Sequence, residues 1–389
     1  MDRNCNFRLQ AVGNKTLWVY DHADPSLALK EAREARSMGR NRQAHSERRR
    51  ELIGMVLPAA RSGYSTMSLS NRIEQAKDGT RVIGLDNAGI WKQLNRAPFL
   101  FHHSLANHPL FDTPRLLTLA KGVIDRGDPT KFGLRDEGDA KFNSAPLQDR
   151  LLQAIRRVEE GGIWFKLSNL EELNRDYDHI LRKTIGEVED LTGLRLRNDI
   201  GWSGITVFVA SPNMVTSYHF DNETNLLFQI RGEKDVRLFD PHNRFVLTEN
   251  EIERFYAGNV AAGIYREEVL ESGTLFHLTP GTAVHHPPLA PHIVTNANNV
   301  SVSASFAFAL APELYRARIY QANYCLRRLG FQPLPPGKSR FRDKLKNRTF
   351  EMLVKSNPAS HDELLFSGMN RLKAPFRLAK RVIRGTNGP

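Results

Sequence analysis

The chain has 389 residues, of which 40% are hydrophobic and 25% charged, a composition typical of a globular protein with two or three domains. It has no run of about 18 apolar residues and begins without the apolar core of a secretory signal, so we expect a cytoplasmic protein without a transmembrane segment. Cys5 and Cys325 are the only cysteines, which excludes a disulfide framework and a zinc site made of thiolates.

The net charge of +12 is concentrated at the two ends of the chain. Residues 30–50 hold eight Lys or Arg against three Glu, and residues 338–384 hold thirteen against four acidic residues. Residues 51–337 carry a net charge of −2. The first basic run lies in a polar segment, 25–61, that is predicted to be helical, and we interpret it as a solvated helix face in preference to a nucleic-acid patch.

The next part of the chain predicts an α-rich layer without catalytic residues. Apolar positions recur at helical spacing in 147–159 and 171–192, and the apolar run 163–167 between them predicts a short strand. Three histidines stand close together in an apolar, proline-flanked segment that we expect to be irregular: His102, His103 and His108. Their spacing matches no compact ligand set, so we interpret them as structural.

From Ile205 the pattern changes to short β-type runs separated by turn residues. The predicted strands are 205–210, 225–230, 235–239, 274–278, 282–286 and 300–308. Many short strands with frequent turns are typical of a sandwich or a closed barrel. The last run alternates large apolar residues with Ser301, Ser303, Ser305 and Ala307, which predicts one face packed on apolar layers and one face towards a polar cavity.

Three side chains have the character of metal ligands. His219 and Asp221 flank one residue on a predicted strand edge, which would point both to the same face. In a barrel, the chain before His292 would return to the end where this pair lies. Two imidazoles and one carboxylate on one face of a metal leave other positions open, which suits non-haem Fe(II). His285 and His286 compete for the third place, but they alternate on a strand, so only one can face the cavity.

Lys234 adds a cation to the same stretch. A buried ammonium needs an anion. A dicarboxylate co-substrate that chelates iron at one end and reaches Lys234 at the other would meet this need. Two further histidines, His242 and His277, we interpret as structural or surface residues.

The order of these motifs resembles the cupin-like JmjC branch of the 2-oxoglutarate oxygenases, which includes the asparaginyl hydroxylase that modifies hypoxia-inducible factor. The family's pattern is Thr, His-x-Asp, Asn and Gly-x-Lys, and later Pro-Gly, Pro and His. The matching residues here are Thr216, His219, Asp221, Asn225, Gly232, Lys234, Pro280, Gly281, Pro287 and His292. The resemblance implies an α+β protein: a double-stranded β-helix (cupin or jelly-roll barrel) with a helical N-terminal layer and a helical C-terminal extension.

The resemblance also implies an activity and a role for each residue. His219, Asp221 and His292 would hold Fe(II), and Lys234 would pair with the distal carboxylate of 2-oxoglutarate, helped by Thr216 and Asn225. Ser305 stands where the asparaginyl hydroxylase has an Asn near 2-oxoglutarate. The implied protein is a dioxygenase, a hydroxylase that uses O₂. The substrate is not carried over from the family, and two interpretations stay open: a protein or peptide side chain or a ribosomal component, presented with help from the basic ends, or a small molecule.

The expected organisation is a basic helical region at 1–84, a cupin-like JmjC oxygenase domain at 85–330 with its barrel core at about 200–310, and a basic tail at 331–389. The helix predicted at 313–328 would allow a homodimer. The tail cations at 338–384 suit nucleic acid or an anionic surface, but an amphipathic helix docked on the barrel is as good an interpretation. A non-catalytic cupin that binds nucleic acid or membrane through this tail is the alternative function.

Overall fold

The computed structural model describes residues 9–12, 15–18, 81–106, 108–127, 131–136, 149–150, 153–154, 157–358 and 360–385. The chain divides into two units, residues 1–66 and 67–389. The described part of the first unit is an antiparallel hairpin of β1 (Leu9–Val12) and β2 (Lys15–Trp18). The helix predicted for 25–61 lies outside the described residues.

The second unit contains two antiparallel sheets. The large sheet has the strand order β3-β11-β8-β13-β6-β5-β4 and the small sheet has the order β10-β9-β12-β7. Their strands are β3 (Phe99–His102), β4 (Phe132–Asp136), β5 (Ile163–Leu167), β6 (Ile200–Ala210), β7 (Val215–His219), β8 (Thr224–Arg231), β9 (Lys234–Leu238), β10 (Thr274–Leu278), β11 (Thr282–His286), β12 (His292–Asn296) and β13 (Ser301–Leu310). One apolar cluster joins the sheets, with Leu227 and Val284 from the large one and Val236 and Val294 from the small one. This arrangement confirms the predicted α+β class and the double-stranded β-helix.

Helices cover the outside of the barrel. They are α1 (Thr113–Asp125), α2 (Leu170–Leu173), α3 (Arg175–Thr192), α4 (Leu196–Asp199), α5 (Glu249–Tyr256), α6 (Ala311–Arg328), α7 (Arg340–Glu351) and α8 (His361–Gly385), with 3₁₀ turns at Ala88–Gln93, Pro109–Phe111 and Glu267–Ser272. Local sequence sets their ends. Thr248 and Glu251 form a capping box at the start of α5, and Gly193 ends α3 with φ of 71°. Within the described residues, no helix is long and apolar enough to span a membrane.

The largest apolar cluster packs the outer face of the large sheet against α1, α3 and the 3₁₀ turn at Ala88–Gln93. β13 has the two different faces that its alternating sequence predicts. Val302, Ala304, Phe306 and Phe308 belong to this cluster. The serines point the other way, into the barrel, where Ser303 Oγ donates a hydrogen bond to Gln229 Oε1 at 2.7 Å.

The segment around the first three histidines is more regular than predicted. Phe99–His102 forms β3 and pairs with β11 at one edge of the large sheet. Phe99 and Phe101 are buried and lie 5.1 and 4.9 Å from the Trp91 ring, while Leu100 and His102 are exposed. The expectation of an irregular segment was therefore wrong, because this short alternating pattern gains its stability from β11, which is distant in sequence, and from packing on Trp91.

The C-terminal helices pack on the same unit. Leu365 and Met369 on α8 are 4% and 2% exposed and belong to clusters with Tyr320 and Ala257. Gln321 Nε2 on α6 donates a hydrogen bond to Leu365 O at 2.7 Å. The amphipathic segment of the tail, 374–384, has no described side chain beyond residue 374, so the choice between docking on the barrel and binding an anionic surface stays a prediction.

Candidate metal centre

The two imidazoles are brought together by adjacent strands of the small sheet. β7 ends at His219, β12 begins at His292, and these residues are direct register partners with ring centroids 4.1 Å apart. A register shift between His292 and Val294 then aligns Val294 with Thr216. Such a bulge increases local twist and redirects side chains, which is common beside functional sites.

Asp221 reaches the same place from a loop. β7 ends two residues before it, so the expectation that His219 and Asp221 share a strand edge was wrong in that detail. Phe220 between them is buried, with its ring 4.8 Å from Phe255. The Leu289 N–H donates to Asp221 O at 2.7 Å. The loop is thus fixed by one apolar anchor and one backbone bond, and the carboxylate turns towards His292, whose Nε2 lies 3.8 Å from Asp221 Oδ2.

One potential ligand atom from each of the three residues lies within 4.8 Å of the others, and this is the one such group of three among the described residues. The hydrogen bonds assign the tautomers. His219 Nδ1 lies 2.8 Å from Ser217 O and His292 Nδ1 lies 3.1 Å from Ala290 O. Because a carbonyl only accepts, each Nδ1 carries the proton and each Nε2 keeps its lone pair. Backbone-fixed imidazoles of this kind are typical of metal ligands.

The burial of the three side chains is uneven. His292 is buried, while His219 is half-buried and the Asp221 side chain is 41% exposed. Burial, with the nearby His219, lowers the pKa of His292 to about 4, so its imidazole is neutral at pH 7 as metal binding requires. The donor set of two imidazoles and one carboxylate, open on one side, fits a non-haem iron site.

Lys234 is placed by the turn at which the chain crosses from the large sheet to the small one. Gly232 in this turn has φ of 71°, and a Cβ there would lie 2.3 Å from Val300 O, so the turn requires glycine. The buried Gln229 amide closes the turn by donating to Arg231 O at 2.8 Å and Gly232 O at 2.9 Å. Lys234 therefore begins β9 with its side chain buried.

The electrostatics of Lys234 are unusual. It is 5% exposed, and within the described part of the chain it makes no ion pair. Burial lowers its pKa to about 8, so most of the ammonium is still charged at pH 7. A buried cation without a counter-ion is costly, and a bound anion would lower that cost.

The other three predicted residues lie at different depths. Ser305 Oγ donates a hydrogen bond to Asn225 Oδ1 at 2.8 Å, which links β13 and β8 inside the barrel. Thr216 lies on β7 opposite Val294 and is exposed. Asn225 and Ser305 thus form a connected polar pair, whereas no hydrogen bond connects Thr216 to them among the described residues.

His285 and His286 face opposite sides of β11. His285 stacks on Phe99 at 4.7 Å on the outer side. His286 points inward, and its ring lies 4.7 Å from that of His292. Burial, reinforced by the nearby His292, His285, His219 and Lys234, holds the pKa of His286 well below its usual range, so it is neutral.

The remaining histidines are mostly structural. His103 Nε2 lies 3.0 Å from Thr282 O, His108 caps a 3₁₀ turn, and His277 on the surface pairs with Asp235 at 2.8 Å. One contact had no sequence signal. His361 at the start of α8 lies 3.1 Å from the Asn222 amide, next to Asp221, although 139 residues separate the pair.

A jelly-roll barrel formed from these sheets is the architecture of cupins. Residues 166–315 match the family model described as the cupin-like domain, so the chain contains a cupin-like domain as the motifs predicted. None of the curated proteins matches the sequence.

Solved structures give weaker likenesses. YcfD from Escherichia coli, a ribosomal oxygenase, in complex with cobalt and 2-oxoglutarate is 14% identical, with 80% of this chain and 69% of that chain covered and a TM-score of 0.40. Another structure of YcfD is 14% identical, with 75% of this chain and 68% of that chain covered and a TM-score of 0.40. The DMSP lyase DddQ from Ruegeria pomeroyi is 13% identical over 28% of this chain and 38% of that chain, with a TM-score of 0.19. Likeness at these scores carries no argument about this chain.

Proposed function

We propose that the protein is an Fe(II)- and 2-oxoglutarate-dependent dioxygenase, a hydroxylase that couples decarboxylation of 2-oxoglutarate to the oxidation of a protein or peptide side chain or a small molecule. One observation carries the proposal. Two histidines of the small sheet cluster with an aspartate on the loop after β7, and the same sheet holds a buried cation without a partner among the described residues. A metal and a dicarboxylate would together satisfy both.

His219, Asp221 and His292 would hold the iron. The backbone carbonyls of Ser217 and Ala290 keep both Nε2 atoms unprotonated, and the carboxylate supplies the anionic charge. When bound, the iron supplies the redox chemistry by which O₂ is consumed together with 2-oxoglutarate. The protein's own contribution is a coordination face that is open on one side and held in place by the strands of the barrel.

Lys234 would bind the distal carboxylate of 2-oxoglutarate. Because the ammonium is already desolvated, the pair forms without a further cost of burying the cation. We assign Asn225 and Ser305 to the polar lining of the same cavity, since their hydrogen bond lies inside the barrel. Thr216 would assist Lys234 in binding this carboxylate, a role that rests on its position in the motif alone.

The direct test is succinate formation by the purified protein with Fe(II), 2-oxoglutarate and O₂. We expect the signal to vanish in His219→Ala and Asp221→Ala. Lys234→Ala should mainly raise the concentration of 2-oxoglutarate that is required. A wild-type protein that forms no more succinate than His219→Ala would contradict the proposal, and an unchanged requirement in Lys234→Ala would refute the role given to that lysine.

The substrate class can be tested through the basic tail. Removing residues 338–389 would also remove Leu365 and Met369 from the packed interior, so a deletion would confuse folding with recognition. The exposed cations Lys344 and Arg348 offer a milder change. Lys344→Glu with Arg348→Glu should lower turnover of an anionic macromolecular substrate and leave turnover of a small molecule unchanged.

A second candidate function rests on a cavity of about 930 Å³ between α6 and α7. Its cations are Arg316, Arg340, Lys344 and Arg348, and none of the proposed metal ligands lines it. A non-catalytic barrel that binds RNA through this basic surface would use it directly. Salt-sensitive RNA binding without metal-dependent succinate formation would favour this function over the oxygenase.

A further inference from the structure

His286 is a buried polar side chain without a partner. It is 4% exposed, and neither Nδ1 nor Nε2 has a hydrogen-bond partner among the described residues of the protein. A buried polar group left unpaired costs free energy that a native fold rarely tolerates without a reason. The neutral imidazole offers one N–H donor and one lone pair, and both are unused by the protein itself.

The position of this side chain tells which ligand it would meet. His286 pairs in register with Asn225 on β8, which in turn pairs with Ala307 on β13, so its neighbours across the inner face of the large sheet are a polar and a small residue. From there its ring reaches 4.7 Å from His292 in the opposite sheet. It therefore stands at the metal end of the barrel interior, across from the ligands.

His286 is not itself a member of the ligand cluster. The group of atoms within 4.8 Å of one another contains His219, Asp221 and His292 and omits His286. A ligand bound beside the metal would supply the missing hydrogen-bond partner. His285, its neighbour in sequence, lies on the other side of the strand, where its Nδ1 is hydrogen-bonded to Ala97 O and its ring stacks on Phe99.

We propose that His286 is a co-substrate-binding residue that donates a hydrogen bond to the metal-chelating carboxylate end of 2-oxoglutarate, opposite the end bound by Lys234. The inference rests on the proposed function. It adds a specificity determinant: the bound acid would be recognised by a cation at one end and by a neutral imidazole at the other. A keto acid that lacks the distal carboxylate would keep the contact with His286 and lose the one with Lys234.

The test uses Co(II) as the probe metal and measures binding without turnover. Wild-type, His286→Leu and His286→Gln proteins are titrated first with Co(II), followed by its visible absorption, and then with 2-oxoglutarate. His286→Leu should weaken 2-oxoglutarate binding about tenfold while Co(II) affinity stays within about twofold. His286→Gln, which keeps an N–H donor, should recover most of the loss. Since leucine removes an unpaired polar group, the urea midpoint should not fall.

Three results would overturn the proposal in distinguishable ways. Equal 2-oxoglutarate affinity in wild type and His286→Leu would show that the imidazole does not touch the acid. A fall in Co(II) affinity as large as that of His292→Ala would make His286 a metal ligand. Co(II) binding without any 2-oxoglutarate binding by the wild-type protein would remove the proposed function itself, and the inference with it.

Discussion

The two sheets of the barrel differ in how they are covered and in what they carry. The outer face of the large sheet lies under the main apolar cluster and its helices, and every residue of β13 is buried. The small sheet leaves its outer face in solvent, with Leu275 and Val215 about half exposed, yet it holds Lys234 and both histidines of the candidate metal cluster. We therefore expect separable effects: substitutions in the large sheet should change stability, and substitutions in the small sheet should change metal and ligand binding.

The largest effect should come from the large sheet. Phe228 is fully buried, with its ring 4.7 Å from Phe306 and 5.5 Å from Phe101. Phe228→Ala should lower the free energy of unfolding by about 3–5 kcal/mol because it leaves a cavity. Leu275→Ala on the outer face of the small sheet is the control and should stay within about 0.5 kcal/mol. Equal losses by urea unfolding would contradict the division between the sheets.

The next effect concerns metal binding without loss of the fold. His292→Ala should weaken Co(II) binding by more than the roughly 10–100-fold that removal of an outer-shell partner costs. His277→Ala removes an exposed imidazole from the same sheet and should leave Co(II) affinity unchanged. The measurement is a spectroscopic Co(II) titration alongside a urea midpoint. If both variants bind Co(II) alike, the cluster is not the metal site.

The third effect is the pH dependence caused by Lys234. Its folded-state pKa of about 8 lies below the ordinary value of 10.5, so the folded protein is penalised for the charged form. Wild-type stability should therefore rise as pH increases from about 8 to 10.5. Lys234→Met lacks this rise, and its stability advantage should shrink by roughly 2 kcal/mol across that window. The measurement is urea unfolding of both proteins at pH 7 and pH 10.5. An equal stability difference between them at the two pH values would contradict a buried Lys234 cation without a partner among the described residues.

The smallest effect concerns the link between the tail and the ligand loop. His361 on α8 contacts Asn222, which follows Asp221, and its ring lies 4.2 Å from Trp202. His361→Ala should weaken Co(II) binding about threefold, less than the loss of a direct ligand partner. A matched change on the exposed side of the tail, Arg342→Ala, should have no effect. Loss of Co(II) binding in both variants would point to general unfolding of the tail.

The sequence predicted the parts of the site that follow a local rule. Strands such as β10 and β11 were found at their observed bounds because their apolar runs end at turn residues, and His219 and His292 stood out by residue type and motif offset. The roles of these residues remain predictions. β7 was predicted only as a strand edge at His219 and β12 was not predicted, since both mix polar and apolar residues without a clear apolar run. Their pairing depends on a contact between His219 and His292 that only the folded barrel provides.

Other features depend on long-range packing and could not be read from the chain. The choice between His285 and His286 depends on which face of β11 meets the small sheet, because alternation alone says that they differ and not which one is inside. The absence of a hydrogen bond to His286 and of an ion pair to Lys234 among the described residues depends on where the fold buries these side chains. The His361–Asn222 contact joins a tail helix to a ligand loop without any pattern at either position.

The central claim is that the barrel binds a dicarboxylate between a metal and Lys234. Titration of the Co(II)-loaded protein with 2-oxoglutarate tests it most directly, with Lys234→Met and His277→Ala measured beside the wild type. We expect saturable binding by the wild type and His277→Ala, and binding weaker by about 30-fold or more in Lys234→Met, since truncating one partner of a buried charge pair costs about 2–5 kcal/mol. Absence of binding by the wild-type protein, or equal affinity in Lys234→Met, would contradict it.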